Sequence, residues 1–206
     1  MCGGSMKKII LYSFLFVSLW FMTVGMNCEM RQVEIPVLGT ENKIIQVDED
    51  GSSYNEQFEI NLSSEINRIA RENSFQAVGA VLLQGITYTI QDNQSPAGTI
   101  INGTIDVSSE SFYSEMTPLI EMTNVNLAEK VGILNVPPLK PEGVMVINTE
   151  LSPYQHLIFG SDFTLYFSLH GTATPPPSAA HPLKFKILVK VYINMIGIIE
   201  TEVPVM

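Results

Sequence analysis

Few residues in this 206-residue chain could carry chemistry: three histidines, two cysteines and an excess of acids over bases of 21 to 11. His156, His170 and His181 fall at spacings that match no metal-site pattern, and convergence of two or three of them in space is the weaker alternative. Cys2 and Cys28 both lie at the N-terminus, so the folded part has no thiol. It therefore has no internal disulfide, no cysteine-ligated metal and no cysteine nucleophile. Asp48-Glu49-Asp50-Gly51 sets three carboxylates beside a glycine, the oxygen-rich chemistry that wraps calcium. The glycine comes too early in the run for an EF-hand loop. A solvated turn is the first reading, and a cation held by Asp48 and Asp50 the weaker alternative. Glu110 and Glu115 are an acid pair of the kind a glycosidase uses. The G-x-S-x-G elbow, H-E-x-x-H, the phosphate-cradling G-x-x-x-x-G-K and the dinucleotide fingerprint are all missing from the sequence, and no cofactor is implied.

The elements that would position such groups read mainly as strands. Val33, Ile35 and Val37 alternate, Lys43 to Val47 is a second short run, and Gly39 to Asn42 supplies turn residues, which predicts a hairpin. Phe58, Ile60 and Leu62 continue the two-residue period. The period then lengthens: Ser63 or Ser64 can cap a short helix carrying Ile66, Ile69 and Ala70 on one stripe, ending near Asn73. Val78 to Gln91 and Thr99 to Val107 read as two strands pairing antiparallel, with Gly103 marking a bulge or a close backbone approach. Leu119 to Thr123 is a weaker strand and Asn126 to Gly132 a single helical turn, followed by a proline-rich extended stretch. Val144, Ile147 and Leu151 recur at helical spacing.

The clearest folded signal is C-terminal. Phe163, Leu165, Phe167 and Leu169 alternate with polar neighbours, and after Pro175-Pro176-Pro177 so do Leu183, Phe185, Ile187, Val189, Val191 and Ile193. If those two strands pair, Tyr166, His170, Lys190 and Tyr192 share the outward face. That gives aromatic surface and hydrogen-bond donors suited to a protein or glycan partner. Lys184, Lys186 and Lys190 form a basic stripe, read as guards on an edge strand or as contacts to anionic headgroups. A net charge of −10 argues against nucleic acid as a partner, since phosphates call for clustered lysine and arginine.

Ahead of this body stands a leader. Lys7 and Lys8 precede an uncharged run from Ile9 to Met26, broken by Gly25, with Cys28 just beyond. Positive charge before an apolar run is the form of an export signal. The placement of Cys28 resembles bacterial lipoproteins, over roughly residues 6 to 28. That resemblance implies removal of the leader before Cys28, lipidation of its thiol, and a location in the cell envelope on the periplasmic or outer surface. An uncleaved transmembrane anchor and simple secretion are the alternatives. The expected organisation is a leader over residues 1–27 and one domain over 28–206. Its expected fold is a mainly β, antiparallel sandwich with one or two short accessory helices. The expected role is that of a membrane-tethered structural or interaction protein. The alternatives are a binding protein for a small apolar or glycan ligand, which needs an enclosed pocket, and an enzyme of unrecognised type, which needs acids or histidines converging in a cleft.

Overall fold

The computed structural model describes residues 28–109, 115–152, 163–176, 178 and 180–204. Among them, residues 34–199 form one compact unit, and the two ends, 28–33 and 200–204, group as a second. Lys7, Lys8, the apolar run, His156 and Glu110 lie outside the described residues.

Among the described residues, eight strands form two four-stranded antiparallel sheets packed on each other. In chain order they are β1 (Cys28–Glu49), β2 (Ser53–Asn61), β3 (Ala77–Asn93), β4 (Ile100–Ser108), β5 (Thr117–Asn126), β6 (Leu134–Asn135), β7 (Thr164–Thr174) and β8 (Leu183–Pro204). One sheet has the order β1-β8-β3-β6 and the other β2-β7-β4-β5. The expected antiparallel sandwich is therefore the fold. Among the described residues the helices are α1 (Ser63–Glu72), the single turn α2 (Leu127–Lys130) and α3 (Pro141–Leu151). Inward residues such as Val47, Ile90, Ile105, Phe167 and Ile187 have no exposed surface and belong to one continuous core.

The expected hairpin over residues 31–47 is instead one continuous strand. Gly39 serves a close approach and no turn: a Cβ there would lie 2.6 Å from Ile69 Cδ1 and 3.0 Å from Ile193 Cγ1. Next to it, Thr40 N–H donates to Glu65 Oε1 at 2.9 Å, so α1 clasps the strand. On α1 the predicted stripe of Ile66, Ile69 and Ala70 is buried. The cap differs. Leu62 occupies the cap position without a side-chain bond, Ser63 is already helical, and its N–H donates to Asn61 Oδ1 at 2.9 Å. The hydroxyl of Ser63 engages the backbone of Phe163 instead, tying α1 to the start of β7.

Two expected pairings are overturned. β3 pairs with β8 and β6, not with β4, and β4 pairs with β7 and β5. β7 and β8 lie in different sheets. Alternation tells which side chains face inward, and the same side chains are buried whichever neighbour a strand takes. Among these elements only β4 and β5 are neighbours both along the chain and within one sheet; every other connection crosses between the layers.

Candidate functional site

On the β2-β7-β4-β5 sheet, outward residues alternate with core residues along each strand. On β7, Tyr166 and His170 are half-buried outward residues, while Leu165, Phe167 and Leu169 go into the core. On β4, Thr104 and Asp106 face outward between the buried Ile105 and Val107. The register sets Thr104 opposite His170 and Asp106 opposite Ser168.

His170 Nε2 lies 2.8 Å from Asp106 Oδ2 and 2.8 Å from Thr104 Oγ1. An ionised carboxylate only accepts, so Nε2 carries the proton and shares it between the two oxygens. In its neutral form the ring then presents Nδ1 as an acceptor. Asp106 is only 8% exposed, and its Oδ1 has no hydrogen-bond partner. Beside this group Ser168 Oγ donates to Asn55 Oδ1 at 2.9 Å. A surface hollow lined by Glu49, Ser53, Asn55, His170 and Thr172 adjoins it. Together these residues form an ordered polar face that holds an imidazole in one tautomer. Such a face can accept and donate hydrogen bonds to a docked surface.

The four residues expected to cluster do not. Tyr166 and His170 lie on one sheet, whereas Lys190 and Tyr192 lie on β8 in the other, half-buried opposite Thr87 and Gly85. Because β7 and β8 belong to different sheets, the two strands present separate faces. The lysine stripe also reads differently. β8 is an interior strand, and its first two lysines are matched by acids: Lys184 Nζ lies 2.8 Å from Asp48 Oδ2, and Lys186 Nζ 4.0 Å from Asp92 Oδ2. The hydrogen bond from Lys184 to Asp48 raises the lysine's pKa.

The carboxylate that would open a calcium loop is thus engaged with Lys184, and Asp50 is exposed in the bend that follows β1. Among the described residues no group of three acids, histidines or cysteines is placed to hold a metal. His181 closes a short turn with Ser178 through two backbone hydrogen bonds, 2.8 and 3.1 Å long. The acid pair is incomplete here, Glu115 being exposed and Glu110 undescribed.

Sequence reasoning missed Asp106, Thr104, Ser168 and Asn55. The signal was present in Thr104-Ile105-Asp106-Val107-Ser108, where polar and apolar residues alternate strictly. Glu56 was missed too. It shares the inward parity of Tyr54, Phe58 and Ile60, and burial, followed by the neighbouring charge of Glu49, raises its pKa.

No protein-family model matches the chain, and neither does any curated protein. A chain from the structure of infectious bursal disease virus, Gx strain, aligns with 82% of this chain and 36% of its own length, at 9% identity and a TM-score of 0.25. The present chain thus spans little more than a third of that neighbour.

Proposed function

We propose that the chain is an exported, membrane-tethered interaction protein that meets its partner through its outer surface. The tether is a lipid on Cys28 or, failing that, the uncleaved leader. The observation that carries the reading is the packed space between the sheets, where inward side chains from both layers are buried against one another. Residues spent in this way are not available to line an enclosed pocket for a small apolar ligand. Contact with another molecule then falls to outward residues, among them the polar face around His170, which side-chain hydrogen bonds hold in place, with Tyr166 on the same strand. It suits a protein or glycan surface rich in hydrogen-bonding groups.

Intact-mass analysis of the protein extracted from a membrane fraction tests the tether. The expected product begins at Cys28 and carries two or three acyl chains, and C28A abolishes the modification. A full-length product supports the anchor in place of the lipid. An unmodified product free in the soluble fraction overturns the reading.

A further inference from the structure

The chain sets an acid or amide side chain directly before a glycine at Asp50-Gly51 and at Asn102-Gly103. At such a pair the glycine nitrogen can attack the side-chain carbonyl carbon of the residue before it and close a five-membered succinimide, since no Cβ on the glycine stands in the way. A carboxamide is attacked more readily than an ionised carboxylate, so the sequence ranks Asn102 ahead of Asp50. The fold reverses that order.

We propose that Asp50 is a site of spontaneous isomerisation to isoaspartate in the folded protein, while Asn102 is protected from the same chemistry by its place in the sheet.

Asn102 lies on β4, between β7 and β5. The following residue, Gly103, pairs with Gly171 on one side and Met122 on the other, and a Cβ on it would lie 2.4 Å from His170 O. The side chain of Asn102 is held as well: its Oδ1 accepts the Asn124 N–H at 2.7 Å. Its backbone oxygen takes the Tyr54 hydroxyl at 3.4 Å. Ring closure must turn the backbone at Asn102 and fold its side chain over the glycine nitrogen, which requires β4 to open. The reaction is then slowed to the fraction of time that the strand is open, and a paired inner strand opens rarely.

Asp50 stands in a bend. β1 ends at Glu49 and β2 begins at Ser53, so residues 50–52 belong to neither strand. Asp50 and Gly51 are both exposed, and beyond its chain neighbours the nearest atom to a Cβ on Gly51 would be Ser53 O, at 3.8 Å. Both sides of the bend are anchored, by Asp48 to Lys184 Nζ at 2.8 Å and by Ser52 O to the Ala173 N–H at 3.1 Å. The turn needed for ring closure is thus confined to Asp50 and Gly51, and no strand pairing has to break.

The atoms balance without a further reactant. The Gly51 nitrogen bonds to Asp50 Cγ, and the hydroxyl of the protonated carboxyl leaves as water with the amide proton. Water then opens the ring at either carbonyl. Cleavage on the side-chain carbonyl restores aspartate, whereas cleavage on the main-chain carbonyl leaves the peptide running through Cβ. The link between β1 of one sheet and β2 of the other is then one methylene longer.

Ageing of the full chain in detergent micelles at neutral pH, followed by tryptic mapping, tests the proposal. The peptide Ile44–Arg68 should gain a second chromatographic form of unchanged mass, and electron-transfer fragmentation should place isoaspartate at residue 50. Conversion of Asn102, which changes the mass as amide becomes acid, should be slower by roughly tenfold or more. In urea the order should invert. D50E, which would have to close a six-membered ring, should lose the second form, and G51A should slow its appearance with the circular-dichroism spectrum unchanged. An aged folded chain in which residue 50 stays aspartate, or in which Asn102 converts first, overturns the proposal. So does an order that persists in urea, because protection of Asn102 would then owe nothing to the sheet. If G51A fails to fold, D50E and the urea comparison decide.

Discussion

The hydroxyl end of Tyr54 lies over Gly171, its register partner on the adjacent strand: a Cβ on Gly171 would sit 2.6 Å from the phenol oxygen. Gly103, one strand further, is equally close at 2.5 Å, and the Tyr54 ring meets Phe185 of the other sheet edge-on at 6.0 Å. One aromatic side chain thus fills the space left by two glycines and joins both layers, a device by which rings make up for glycine in a sheet.

G171A should therefore destabilise the fold. The added Cβ would lie 2.1 Å from Asn102 O and 2.6 Å from the Gly103 Cα, both backbone atoms that cannot swing aside. Overpacking of this kind costs about 1 to 3 kcal/mol or more, and in a domain of this size each kcal/mol lowers Tm by roughly 2 to 4 °C. A thermal melt that matches the wild type would exclude the close approach.

Burial, and secondarily the neighbouring Tyr88, raises the pKa of Tyr54 far above its ordinary 10.0. The folded state holds this proton more tightly than the unfolded one. Its contribution to stability is accordingly full below about pH 10 and is lost as pH climbs toward the folded value. In a spectrophotometric titration, Y54F should leave the amplitude of the phenolate signal near pH 10 unchanged while the protein stays folded. A drop of one tyrosine's worth would place Tyr54 in solvent.

Glu65 behaves in the opposite sense. The hydrogen bond from Arg68, helped by the Thr40 N–H, lowers its pKa, so the stability it confers is present above the unfolded carboxylate range and lost as pH falls through the folded value. E65Q should cost about 1.5 to 3 kcal/mol at neutral pH, the range for hydrogen bonds to charged groups. That difference should shrink in acid, where the wild type loses the same charge. Urea denaturation at several pH values checks both statements, and a pH-independent difference would reject the second.

The contact between His170 and Asp106 predicts that the neutral imidazole is the Nε2–H tautomer. Nitrogen-15 chemical shifts of the ring should show a protonated Nε2 and a bare Nδ1, and D106A should mix the tautomers. Finding the proton on Nδ1 in the wild type would contradict the geometry.

Because Tyr166 and Tyr192 lie on different sheets, Y166A and Y192A should act independently. Their effects on stability should add to within about 0.5 kcal/mol, as for sites that share no partner. A surface partner lost with one should be kept with the other. Strong coupling in a double-mutant cycle would restore the single cluster expected from the sequence.

What could be read from the chain was whatever depends on neighbours a few residues away. The alternation from Leu183 to Ile193, the stripe of Ile66, Ile69 and Ala70, and the recurrence of Val144, Ile147 and Leu151 each set a local period, and each proved to be a strand or a helix with the expected buried side. Gly103 at a close approach was legible too, because a glycine inside an alternating run has few other uses. Gly39 misled, since a glycine beside polar residues reads as a turn, and the side chains that explain it, Ile69 and Ile193, come from distant elements.

By itself, then, the sequence determined which side chains go inward, that the body is pleated, and that its core must form without a thiol. Periodicity and composition are local properties, and burial follows from them directly. Only the tertiary structure decided which strands are neighbours. It placed Tyr166 and Tyr192 on opposite layers and brought Asp106 from another strand to His170. The physical reason is that a strand's backbone bonds equally well to many partners, so the choice rests on how all eight pack at once, which no single stretch of residues records.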